Sequence, residues 1–126
     1  MYVTHDLGVA AEIADPVAVM YAGRIVESGP VASVLQAPAH PYTRALLASR
    51  PSMDPARRIE EAPISGDPPN PIDPPSGCHF HTRCRFAETP CEKTDPVLGR
   101  WEGPQSHVAA CHMHDMASGH TRIAHV

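Results

Sequence analysis

At 126 residues, with apolar residues at 42% and 15 prolines, the chain has room for one small domain, and the sequence predicts two loosely joined pieces rather than one continuous core. A formal charge of -4 leaves no basic stripe to neutralise a phosphate backbone: the lysine is Lys93, and the arginines are scattered. That argues against direct binding of nucleic acid. No apolar run approaches the ~20 residues of a membrane helix, and Met1 to His5 lack the basic and apolar regions of a secretory signal.

In chain order, Met1 to Thr4 read as a short apolar strand ending at His5 and Asp6, and Asp6 can cap a helix whose apolar side is Val9, Ala10, Ile13 and Ala14. The opening reads as the middle of a larger unit, because no strand or phosphate loop precedes it. Pro16 stops the helix. Val17 to Tyr21 form an apolar strand, Ala22 and Gly23 a tight turn, and Arg24 to Ser28 an alternating return strand ended by Gly29 and Pro30. Val31 to Gln36 form a short helix closed by Pro38. A second helix starts with Pro41 at its favoured first position and carries Tyr42, Ala45, Leu46 and Ser49 at helical spacing until Pro51.

From Pro51 to Pro75 proline recurs so densely that neither a helix nor a central strand can form, and the segment reads as a stiff linker. The region from Gly77 to Cys111 is too poor in apolar residues to fold well without a staple, and Cys78, Cys84, Cys91 and Cys111 are the natural one. In the expected cytoplasmic compartment these thiols are read as metal ligands, with free thiols or a pair of disulfides as the plain alternative. His79, His81, His112 and His114 are expected to be solvent-facing bystanders. The tail beyond Cys111, including His120 and His125, is expected to be disordered.

Two runs of residues carry a family resemblance. His5-Asp6, Glu12, Ala14-Asp15, Val17 to Met20, Gly23 to Glu27 and Gly29 resemble the segment that follows the switch histidine of ATP-binding cassette domains. His40-Pro41-Tyr42-Thr43-Arg44-Ala45-Leu46-Leu47, Pro68-Pro69, Pro75, the four cysteines and His107-Val108-Ala109-Ala110-Cys111 resemble the carboxy-terminal extension of oligopeptide and dipeptide importer ATPases. The implied fold is α/β. A partial nucleotide-binding domain over 1–50 contributes strand and helix, a β-hairpin and two short helices. A Pro-rich linker over 51–76, an irregular four-Cys metal-binding extension over 77–112 and a disordered tail over 113–126 follow.

The resemblance assigns His5 as the switch histidine, which would contact the terminal phosphate of a nucleotide in a complete domain. Nothing else of that site is present in the sequence. No Gly-Lys pair forms a phosphate loop, no Gly-Gly pair forms a signature sequence, and no apolar strand ends in Asp-Glu. ATP and magnesium therefore belong to the full-length protein, and the chain alone is expected to be catalytically incompetent. The expected partners are membrane permease subunits and a second ATP-binding subunit, and the expected location is peripheral, on the cytoplasmic face of the membrane.

The cysteines are spaced C-x5-C-x6-C-x19-C, without the short pairs that zinc sites use to close a tetrahedron, so zinc is the lesser option. Members that the chain resembles carry a 4Fe-4S cluster on these positions, which implies Cys78, Cys84, Cys91 and Cys111 as its ligands. A structural role is favoured over electron transfer. The rival reading is a free-standing metal-binding interaction module without ATPase activity.

Overall fold

The computed structural model describes residues 3, 7–13, 15–48, 70, 72–100, 106–115 and 117–121. The expected opening strand, apart from Val3, and most of the Pro-rich segment lie outside them, as do His5, Asp6 and His125.

The amino-terminal half follows its periodicity closely. Helix α1 (Leu7–Ile13) leads through Asp15 into strand β1 (Pro16–Tyr21), which pairs antiparallel with β2 (Arg24–Pro30). The hairpin turns on Ala22 (φ 46°) and Gly23 (φ 78°). Two consecutive left-handed residues match the right-handed twist of the strands, which is why a glycine sits there. Helix α2 (Val31–Gln36) buries Val34 against the hairpin, and α3 (Pro41–Ala48) begins on its proline. Ile13, expected on the apolar side of α1, is instead exposed.

β2 departs from strict alternation. Met20 pairs with Ile25 but Val19 pairs with Glu27, so Val26 is an extra residue and the strand bulges. An ideal strand alternates faces residue by residue. The bulge turns Val26 and Glu27 inward together, re-aiming a side chain as bulges do.

The cysteine region does not stand apart. Helix α4 (Thr89–Lys93) is followed by strands β3 (Gly99–Arg100) and β4 (Val108–Ala109), and the sheet runs β1-β2-β4-β3. β4 pairs antiparallel with β2, Ser28 opposite Val108 and Glu27 opposite Ala109. Phe80 joins Val19, Tyr21, Val26 and Val34 in one buried cluster. Its ring lies 5.1 Å from that of Tyr21, edge to face, and 5.4 Å from that of Tyr42. Such aromatic pairs add roughly 0.5–1.5 kcal/mol beyond burial. The expected two loose pieces therefore share a sheet and a core among the described residues.

The tail is also more ordered than expected. His112–His114 form a 3-10 turn, and His120 is buried, with its Nε2 2.8 Å from the Phe86 carbonyl. The expectation of disorder fails for the described residues up to Thr121; residues 122–126 lie outside the description. Among the described residues, no helix is long and apolar enough to cross a membrane.

Candidate metal centre

Four separate turns of chain deliver the cysteines. Cys78 follows Gly77, whose φ of +69° lets the chain pass against α4, and the Cys78 N–H donates to the Cys91 carbonyl at 2.8 Å. Cys84 closes the 3-10 turn His81–Arg83, Cys91 sits within α4, and Cys111 lies two residues beyond β4. All four are free thiols and line one small cavity of about 20 Å³, together with Phe80, Phe86 and Met113.

Burial pushes the pKa of Cys78 up to about 11 and that of Cys111 to about 12, with neighbouring cysteines adding to each shift. Burial raises Cys84 as well. Without a metal Cys78, Cys84 and Cys111 are protonated at neutral pH, so any metal that takes them must displace protons. Among the described residues, no three His, Cys, Asp or Glu side chains converge closely enough to hold a single ion. The cavity lining carries four soft sulfurs together with the His40, His81, His112 and His120 rings.

The histidines are not solvent-facing bystanders. His112 is buried, with Nε2 2.7 Å from the Thr94 carbonyl, and His114 Nε2 lies 2.8 Å from the Ala39 carbonyl. His79 Nδ1 lies 2.9 Å from the Ala22 carbonyl, and His81 Nδ1 2.8 Å from that of Cys78. A carbonyl accepts only, so each of these nitrogens carries its proton and donates. These rings tie the cysteine loops to the hairpin, to α3 and to each other.

A buried polar knot lies beside the cavity, and sequence reasoning missed it. Glu27 is fully buried; its Oε1 accepts from the Ala39 N–H at 2.8 Å and faces His107 Nε2 at 2.5 Å, while its Oε2 accepts from the His40 N–H at 3.0 Å. One carboxylate thus joins β2, the start of α3 and the segment entering β4. Gly29 makes room: a Cβ there would meet His107 Cα at 3.0 Å. His40 lines the cavity and is 1% exposed. Its Nδ1 accepts from the Tyr42 N–H at 3.0 Å. Burial, with help from His114 and Arg44 and against the Ala110 carbonyl, lowers its pKa to about 3, so the ring is neutral. β2 also carries Arg24 and Ser28, so an acidic residue within it is no signal of burial.

Residues 26–91 match the family described as the oligopeptide/dipeptide transporter, C-terminal region. The chain is 45% identical over 115 residues to the dipeptide transport ATP-binding protein DppD of Caldanaerobacter subterraneus subsp. tengcongensis, covering 91% of this chain and 34% of that protein. It is 44% identical over 103 residues to the dipeptide transport ATP-binding protein DppF of Escherichia coli, covering 82% of this chain and 31% of that protein. The Haemophilus influenzae DppF is 43% identical over 98 residues. The chain thus spans about a third of the length of these relatives. With its His-Pro-Tyr helix start and first three cysteines inside the matched region, it belongs to the oligopeptide/dipeptide transporter C-terminal-region family.

Proposed function

We propose that this chain acts as the carboxy-terminal part of an ATP-binding subunit of an oligopeptide or dipeptide importer, and that Cys78, Cys84, Cys91 and Cys111 hold a 4Fe-4S cluster there. The observation that carries the first statement is the continuous similarity to dipeptide transport ATP-binding proteins over 91% of the chain. It disfavours a free-standing interaction module. In this reading residues 1–50 close the nucleotide-binding domain, residues 51–76 cross its surface and residues 77–112 form the extension. His5 would meet the terminal phosphate of ATP and magnesium held by the complete protein, which would work beside permease subunits and a second ATP-binding subunit on the inner face of the membrane.

The gathering of four thiols around one cavity supports the second statement. The space between them holds about one water, so the thiol side chains must swing outward to admit an inorganic core. The bound group would supply a rigid covalent junction between the loops. This chain's own residues would supply the four sulfurs, the apolar wall of Phe80 and Met113 that limits water, and the histidine N–H groups that fix the loops. Its role is structural: it would join three segments whose apolar surface alone is small.

The test is anaerobic purification. Protein with broad visible absorption, bleached by Cys84→Ser or Cys91→Ser and unaffected by His79→Ala, is expected; His79 lies outside the cavity lining. Colourless protein with one tightly held zinc would favour the zinc site, and disulfide-paired cysteines would defeat both.

A further inference from the structure

Beyond Cys111 the chain folds back over the cysteine region. Asp115 turns it: its carbonyl accepts the Ser118 N–H at 3.0 Å and its Oδ1 the Ala117 N–H at 2.9 Å, while Ser118 Oγ donates to the His112 carbonyl at 2.8 Å. Gly119, at φ +82°, then sends His120 and Thr121 against the start of α4. The His120 side chain is fully buried and forms part of the wall of the thiol cavity, its Nε2–H donating to the Phe86 carbonyl at 2.8 Å. Its Nδ1 lies 3.7 Å from Glu88 Oε2. That same oxygen accepts the Thr121 N–H at 2.8 Å, and Glu88 Oε1 accepts from the Thr121 hydroxyl. The segment lies beyond residues 26–91, which carry the family match.

We propose that residues 118–121 form a clasp over the thiol cavity, with His120 as its plug and Glu88 as its catch, and that opening of the clasp, rather than unfolding of the chain, admits small thiol-seeking molecules. His120 is buried while Gly119 and Thr121 on either side of it are exposed, so the ring alone reaches inward. The clasp is held by hydrogen bonds to His112, Phe86 and Glu88, and none of its residues belongs to the apolar cluster of Val19, Tyr21, Val26, Val34 and Phe80. A segment tied by a few bonds near the surface, with little apolar area beneath it, opens locally at low free energy while the core stays folded. Lifting residues 118–121 would uncover the cavity and leave the sheet intact. This goes beyond the importer reading and does not depend on which group the thiols take.

Iodoacetamide tests the clasp on the full chain after metal is removed with a chelator, alkylation of Cys78, Cys84, Cys91 and Cys111 being followed by peptide mass spectrometry at one fixed pH. In the wild type the thiols are expected to react far more slowly than in denaturing urea, at a rate nearly flat in urea below the unfolding transition, because local opening exposes little surface. His120→Ala removes the plug and Glu88→Ala removes the catch; each is expected to speed alkylation about 10-fold. Gly119→Ala strains the left-handed turn, and its Cβ meets Pro90 Cγ no closer than 4.0 Å, so it is expected to move the rate in the same direction without a clash. The wild-type urea series decides even where a substitution weakens the whole chain. Wild-type alkylation that climbs with urea along the full slope of unfolding, or thiols as reactive in buffer as in denaturing urea, would overturn the clasp. So would alkylation rates in His120→Ala and Glu88→Ala equal to wild type.

Discussion

Glu27 illustrates how much one buried side chain can organise. It accepts from two backbone N–H groups at the start of α3 and faces His107 Nε2 beside β4. Each buried donor left without its acceptor costs about 1–3 kcal/mol, so Glu27→Ala should destabilise the chain by at least about 2 kcal/mol in urea unfolding. A change below about 0.5 kcal/mol would show the knot to be solvated. His40 gives a pH dependence. Its folded pKa of about 3 lies below the model-peptide value of 6.5, so it favours folding above pH 6.5, and that contribution is lost as pH falls toward 3. Burial lowers His114 in the same direction. The urea midpoint of the metal-free chain should therefore decline from pH 6.5 to 5, and His40→Asn should flatten that slope. His40 and the cysteines were legible as residue types in a telling order. Glu27 was not, because only the bulge at Val26 turns it inward, and a bulge leaves no mark in a run that otherwise alternates.

At the scale of elements, the proposed metal centre would depend on a loop passing tightly over a helix. Gly77 has a left-handed φ, and a Cβ added there would collide with the Cys91 carbonyl oxygen and meet the Glu92 carbonyl carbon at 2.7 Å. Backbone atoms cannot yield as a flexible side chain does. Gly77→Ala should part Cys78 from Cys91, lowering both iron retention and the melting temperature, whereas Gly23→Ala, with open space at its Cβ, should only strain the hairpin turn. Equal melting temperatures and iron contents for Gly77→Ala and wild type would contradict this close approach. The hairpin, α2 and α3 could be read from periodicity and proline placement because each is fixed by local sequence. β3 and β4 span two residues each, too short for any alternation to register, and they exist because β2 offers an edge. The histidine bridges to Thr94, Ala39 and Phe86 were likewise invisible, since each joins residues distant in sequence.

At the scale of the whole molecule, the cysteine region and the hairpin are one unit among the described residues, joined by the β2–β4 pairing, the Tyr21, Tyr42 and Phe80 rings and the Glu27 knot. Since positioning and electrostatics make up nearly all of phosphoryl-transfer catalysis, and the sequence holds no phosphate loop, ATP hydrolysis by this chain should not exceed a buffer blank. His5→Ala should change nothing measurable, and turnover that this substitution abolishes would refute the composite-site account. The central claim is that four thiols from separate loops hold one shared cluster that completes this unit. Native mass spectrometry of anaerobically prepared chain tests it most directly: the account predicts one dominant species heavier than the polypeptide by about four irons and four sulfides, reduced to the bare chain in Cys91→Ser, whereas a mass increment of a single zinc, or of no metal at all, would contradict it.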